Sequence, residues 1–408
     1  GSRGLGDVYK RQYSIRAFST MPWTSRRFLW ASTPLMPFMF RWVGEGYING
    51  CAYGPLRHDG CLRGCAMSTE SIGFLNHETC WTASRVKEAF YQDCLELKDL
   101  GEAFERLSSD ALDVAVIPAR MIHGNQLKLL SSGLVVSGAM NQNRPFHVMV
   151  SDDRVRHLPR ASILLSNSRI VRRQLRRLRR DFRVLSPKAW AGINEVDLPE
   201  EGLEAWMEGL RVSGEIDGYT LPRDSYDKHV LKSRRFALWP EPKEAGGSFF
   251  LPPIYIDLPL LITREGYPKT KLTQIRGEEG LAAWHVMNEL FGSESPEIIE
   301  GMGMLVKHRS VSSLLQQAES TRDLVLEQAC RDSEGDMLPD ETRLMVRIEY
   351  VSDNGTRTFR LDRIINLDNV HGGCVTMDRE WRSVFSKLSE PQPDHPRWGP
   401  ASPAFFVD

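Results

Sequence analysis

Residues 161–184 read ASILLSNSRIVRRQLRRLRRDFRV, and this stretch decides the fold. Ile163, Leu164 and Leu165 predict a buried strand, and Ser166, Asn167 and Ser168 a short polar turn. An arginine-loaded helix follows. At 3.6 residues per turn, Val171, Leu175, Leu178 and Phe182 make one apolar stripe that can dock on a sheet. Arg169, Arg172, Arg173, Arg176 and Arg180 fall on the opposite face. Free amides and the helix dipole already favour anions at the start of such a helix. Two readings follow. The arginines form a solvated basic face, which the spacing alone favours, or they hold a compact polycarboxylate or phosphate.

Working outward, strands alternate with helices. Residues 84–90, 101–107 and 201–210 carry helical patterns; residues 94–97, 113–117, 133–139, 147–151, 182–185 and 216–221 carry strand patterns. Such alternation predicts a mostly parallel sheet with helices on both faces, whose ligands bind beyond the carboxyl ends of the strands. Residues 239–253, WPEPKEAGGSFFLPP, have the signature of a linker. Beyond them lie a strand at 258–263, helices at 278–291 and 311–329, and two strands at 344–351 and 358–365. Asn354-Gly355 between those strands is a hairpin signal. A last helix at 378–388 completes a separate α+β domain, and the Pro-rich residues 390–408 are expected to be disordered. No internal repeat is evident.

The chain has 408 residues and a formal net charge of −1, so the basic helix is local and a general nucleic-acid binder is not indicated. No apolar run is long enough to span a bilayer. The seven cysteines form no paired framework, which suits reduced thiols in a cytoplasmic protein. Residues 1–66 open with GSRGLGDVYKRQ, which resembles adaptor read-through, and are expected to be a translated upstream extension before a start at Met67. His77 and Cys80 have a conceivable metal-ligand spacing, but a lone pair is weak and no metal is expected. His147 and His285 are expected to pack, and Trp190, Trp206 and Trp284 to sit in the core or at its rim.

Taken in order, these segments resemble the hydroxymethylbilane synthase (porphobilinogen deaminase) family. DVAVIPARMIH, residues 113–123, is similar to the family's D-[IV]-A-V-H-S-x-K-D-x-P. Residues 133–151 resemble its two strands around E-R-x-D-P-R-D, and residues 158–182 its L-P followed by G-T-S-S-L-R-R and a helix. GEIDGYTL, residues 214–221, is similar to G-E-Y-D-A-I-I-L. LPPIYIDLPLLITR, residues 251–264, aligns without gaps on L-P-A-V-G-Q-G-A-L-G-I-E-x-R.

The resemblance implies two doubly wound, periplasmic-binding-protein-like α/β domains and a small C-terminal α+β domain. The expected boundaries are 67–151 with a return segment at 223–265, then 152–222, then 266–389. It also implies a monomeric enzyme that condenses porphobilinogen units with loss of ammonia on a covalent dipyrromethane cofactor. The substrate is a polycarboxylate, so Arg120, Ser166, Ser168, Arg169, Arg172, Arg173 and Arg176 become candidate binding residues. The family's Arg-Arg pair falls on Ile170 and Val171, so those arginines answer only after a two-residue shift. The family's catalytic aspartate falls on Met121, which can neither donate a proton nor stabilise a cation. Asp152 or Asp153 are the acids nearby in sequence, while Asp113 opens its strand and reads as structural. The cysteine that tethers the cofactor falls near Glu294 in FGSES, residues 291–295; Cys374 of HGGCV lies too late in the chain. The alternative is a member without catalysis that binds a tetrapyrrole precursor or another small polyanion.

Overall fold

A computed structural model describes residues 71–389, apart from 91–93, 230, 243–246 and 333. The expectations for residues 1–66 and 390–408 lie outside the described residues. The first lobe runs β1 (Ile72–Phe74), α1 (Thr82–Phe90), β2 (Leu95–Glu96), α2 (Leu100–Ser108), β3 (Val114–Pro118), α3 (Ala119–Ile122), α4 (Gln126–Ser131) and β4 (Leu134–Ala139). The chain then crosses into a second lobe: β5 (His147–Ser151), β6 (Ile163–Ser166), α5 (Arg169–Leu178), β7 (Arg183–Leu185), α6 (Pro187–Ile193) and α7 (Leu203–Ser213). That lobe ends with β8 (Gly218–Pro222), α8 (Arg223–Lys228) and β9 (Arg235–Ala237), and the chain returns as β10 (Pro259–Arg264). The third lobe holds α9 (Glu278–Phe291), α10 (Pro296–Glu300), β11 (Met302–Ser310), α11 (Val311–Thr321), α12 (Leu324–Ala329), β12 (Thr342–Val351), β13 (Thr358–Asn366) and α13 (Val370–Ser389).

The sheet orders are β2-β1-β3-β10-β4, β7-β6-β8-β5-β9 and β11-β12-β13. In each of the first two, three parallel strands are followed by an antiparallel strand that belongs to a crossing between lobes. The two lobes therefore share one topology, a repeat that sequence similarity does not reveal. The expected pair of doubly wound α/β lobes with a small α+β lobe is thus present. The boundaries move, however. β5 belongs to the second lobe, and β9, within the expected return segment, pairs with β5 there. Only β10 returns to the first sheet.

Burial explains these elements. β3 (VAVIP) is wholly buried, as a strand covered on both faces must be. Leu260 and Ile262 of β10 join Ala115, Ile117 and Leu134 in a core that continues through Trp284 and Phe291 of α9 into Val346 and Trp381 of the third lobe. The first and third lobes thus share apolar contacts. The second lobe has separate apolar clusters built on Val171 and Leu175 and on Trp190 and Tyr219.

Two local differences have clear causes. The expected helix at 311–329 is broken after α11, where Arg322 takes φ 54° and Asp323 caps α12. The expected last helix begins earlier, at Val370, so HGGCV forms its first turns. Trp190 and Trp284 are buried and Trp206 is half-buried, as expected, but His285 lies on an exposed face of α9. Among the described residues, no helix is long and apolar enough to cross a membrane.

Candidate functional site

The carboxyl ends of β1 and β3 face those of β6 and β8 across the lobe interface. His77 and Glu78 follow β1, Arg120 lies on α3 after β3, Asn167 and Ser168 follow β6, and Asp224 and Ser225 open α8 after β8. Direct bonds bridge the gap. Asn167 Nδ2 donates to Glu78 Oε2 at 2.7 Å, and Trp81 N donates to Asp224 Oδ2 at 2.9 Å. Trp81 Nε1 donates to Ser225 Oγ at 3.2 Å.

Beneath this interface Asp257 ties the crossings together. Its Oδ1 accepts from Arg85 Nη1 of α1 at 2.7 Å, and its Oδ2 accepts from the amides of Asn143 and Arg144, both at 2.7 Å. Burial pushes the Asp257 carboxyl up, against the pull of Arg85. Burial raises Asp224 as well. Tyr255 and Asp257 hold φ of 67° and 51°, left-handed values at the two positions where the resembled G-Q-G pattern has glycine.

The arginine face divides. Arg173 is buried: Nε and Nη2 donate to Asp353 Oδ1 at 2.9 and 2.5 Å, and Nη1 to the Gly301 carbonyl at 3.2 Å. Arg176 donates to the carbonyls of Asp353 and Val184, and Arg169 reaches the Glu297 carbonyl and Asp353. Arg177 meets Glu349, which is wholly buried in β12, at 2.5 Å. Gln174 Nε2 also donates to Glu349, at 2.9 Å. Arg169 and Arg173 therefore engage the third lobe, and Arg176 is shared between that lobe and the rim of a cleft beside β7. A helix packed on two sides needs a satisfied polar face for its second neighbour, and a one-stripe wheel cannot reveal that.

Arg172 differs. Its Nη1 donates to the carbonyls of Ser166 and Asn167, both at 2.8 Å, and no carboxylate lies within ion-pair distance among the described residues. Burial, followed by the charges of Arg176, Arg169 and Arg173, pulls its guanidinium down to about 10. Arg120 is close by, with Nη2 3.3 Å from Glu300 Oε1 and Nη1 3.4 Å from His123 Nδ1. Glu300 also acts electrostatically on Arg172, and Arg120 on His77. Glu300 thus pairs with Arg120 and acts on Arg172 at the mouth between the lobes.

The two candidate serines serve the fold. Ser166 is fully buried, its Oγ accepting from Thr220 Oγ1 at 2.6 Å. Ser168 is the N-cap of α5, accepting from Val171 N. Asp113 is structural, bonded by Ser71 and Arg264. Asp152 is exposed and paired with Arg211, and both Asp152 and Asp153 follow β5, whose antiparallel course carries them to the edge away from the mouth. Met121 packs against the first-lobe core. No acid takes its expected place there.

The dipyrromethane does not fit these residues. Cys374 is buried against α9, and burial, with Glu289 beside it, pushes its thiol up to about 12. Glu294 pairs with Arg382. Cys80 is buried beside Arg85, and its thiol is raised well above the ordinary range. His77 Nδ1 bonds Thr79 Oγ1 at 2.8 Å, and no group of three His, Cys, Asp or Glu side chains placed to hold a metal occurs among the described residues.

No family model and no curated protein matches the chain. Solved structures do. Immunogenic lipoprotein A from Vibrio vulnificus is 13% identical, covering 53% of this chain and 99% of its own, at TM-score 0.28. The periplasmic aliphatic sulphonate binding protein from Escherichia coli is 11% identical over 80% and 94%, at TM-score 0.28. The ligand-binding component of an ABC-type import system from Staphylococcus aureus, with zinc bound, is 12% identical over 80% and 94%, at TM-score 0.28. These likenesses concern fold and assign no residue. None of these three is a porphobilinogen-condensing transferase, and the expectation of that activity is corrected. The residues agree, since neither acid nor tether is in place.

Proposed function

We propose that the chain is a binding protein for a small polyanion, held at the mouth between the first two lobes by Arg172, with Arg120 beside it. The half-buried Arg172 guanidinium without a carboxylate partner carries this reading. A cation removed from water and ringed by like charge is costly unless an anion joins it. The N-terminus of α5 adds to the attraction, with the amides of Arg169 and Ile170 lacking an acceptor among the described residues. A compact ligand with two or more acidic groups matches two guanidinium groups that share only Glu300.

The ordered motifs, with left-handed backbone at Tyr255 and Asp257, support reading the scaffold as a relative of the resembled family without its catalysis. The test is thermal unfolding of the full chain with citrate or inorganic pyrophosphate. Both raise the melting temperature of the wild type, and Arg172→Gln removes most of the rise. No rise, a rise that Arg172→Gln leaves intact, or consumption of porphobilinogen overturns the reading.

A further inference from the structure

Beside the two guanidinium groups at the mouth, Arg120 and Arg172, stand two carboxylates, Glu78 and Glu300. Asp224, also at the interface, feels Arg85 and Arg144 instead. The two mouth acids are held differently. Glu78 accepts from Asn167 Nδ2 at 2.7 Å, so it is part of the bond between the lobes. Glu300 reaches Arg120 Nη2 at 3.3 Å, and its side chain is 54% exposed. Its carboxylate has no second partner among the described residues.

The main chain around Glu300 is anchored. Arg169 Nη1 donates to the Glu297 carbonyl at 3.4 Å and Arg173 Nη1 to the Gly301 carbonyl at 3.2 Å, so α5 grips α10 on both sides of Glu300. Ile299 is buried beside it, and a Cβ on Gly301 would collide with Arg173 Nη1. The third lobe's other acids against α5 are fixed, since Asp353 takes two nitrogens of Arg173 and Glu349 is wholly buried. Glu300 thus has a fixed backbone and a solvated side chain on one long contact. Such an exposed pair contributes little stability, so rotation of the side chain into water costs little.

We propose that Glu300 is a built-in competitor of the ligand: it takes the anion position beside Arg120 itself and swings into solvent when a polyanion enters. This rests on the polyanion reading and names what regulates that site. With Glu78 and Glu300 both in place the two guanidinium groups are matched, and an entering dianion meets no excess of positive charge. Withdrawal of Glu300 leaves Arg120 and Arg172 against Glu78 alone. Glu78 cannot withdraw without breaking the bond to Asn167 that joins the lobes.

Calorimetry of citrate with the full chain at fixed salt tests this. Glu300→Gln keeps the size of the side chain and removes its charge, and citrate then binds tighter by about threefold or more, the size of an exposed ion pair. Glu297→Gln removes an equal charge from an exposed side chain one turn earlier on α10, which pairs with neither guanidinium. It changes the affinity by less than about 1.5-fold, because solvent and salt screen it. If citrate binds the wild type through Arg172 but Glu300→Gln leaves the affinity unchanged or weakens it, the competitor is overturned and the polyanion site stands. Equal tightening by Glu297→Gln overturns it too, because general charge would then suffice. Citrate binding to neither the wild type nor Glu300→Gln overturns both readings.

Discussion

Arg173 and Asp353, 180 residues apart, meet through two nitrogens on one carboxylate oxygen and join α5 of the second lobe to the β12–β13 turn of the third. The pair is asymmetric. The Arg173 side chain is 5% exposed and the Asp353 side chain 73%. Its guanidinium lowers the Asp353 carboxyl against the upward push of desolvation. The solvated partner limits the Coulomb gain, but loss of the acid strands a buried cation. Asp353→Asn is expected to cost about 1–2 kcal/mol, read from the urea midpoint. Arg173→Met/Asp353→Asn should cost less than the two single changes together. Strict additivity in this cycle would mean that the pair contributes nothing.

The same turn depends on Gly355. Its φ is 72°, and a Cβ there would come within 2.5 Å of Arg177 N. Asparagine tolerates the backbone but brings the clash, so Gly355→Asn is expected to cost about 2 kcal/mol or more. Gly133 supplies the control. Its φ is 69°, with open space around it. Gly133→Asn should cost under about 1 kcal/mol by the same measurement. Equal losses would show that backbone conformation, not the approach to α5, sets the requirement.

The strands, turns and lobe types were legible in the sequence wherever one period dominated. VAVIP in β3, the Asn354-Gly355 hairpin and α9 all lie where patterning puts them. Less legible were elements whose partners come from elsewhere. β9 (RFA) has no apolar run and exists because β5 offers an edge. The α5 arginines look solvated by periodicity, yet Arg173 is buried, because its acid arrives from the far end of the chain. Arg172 was legible as a cation, but only the structure separates it from neighbours that already have acceptors.

Met121 illustrates a motif position taken over by packing. It contacts the first-lobe core, so Met121→Asp places a carboxylate against apolar neighbours. The change is expected to destabilise by about 1–3 kcal/mol and to leave porphobilinogen unconsumed. Turnover by this single variant would refute the loss of catalysis.

Cys374 gives a chemical check. Its thiol is buried, raised to about 12, and packed where Gly373 lets α13 approach Ile365. The thiolate is the reactive form, so iodoacetamide at pH 8 should leave Cys374 unmodified in the native chain and modify it after unfolding. Peptide mass mapping reads this directly. Rapid native alkylation, or a pyrrole adduct on its peptide, would restore it as a tether.

His147 contributes to the acid sensitivity of the fold. It is fully buried in β5, its Nδ1 has no partner, and burial alone takes its pKa down to about 3. The unfolded imidazole binds a proton near its ordinary pKa of about 6.5, whereas the folded one resists until about 3. The folded pKa is depressed, so the unfolded state holds more protons throughout this window and stability falls as pH drops. The full loss is on the order of 4 kcal/mol by pH 3. Asp224 and Asp257 act in the opposite sense, because raised carboxyls favour folding below their folded pKa and oppose it above. They offset part of that loss, whereas His77, His123 and His285, also lowered, chiefly by desolvation, add to it. His147→Leu is therefore expected to flatten the dependence of the urea midpoint on pH between 6.5 and 5. An unchanged slope in that variant would place the acid sensitivity elsewhere.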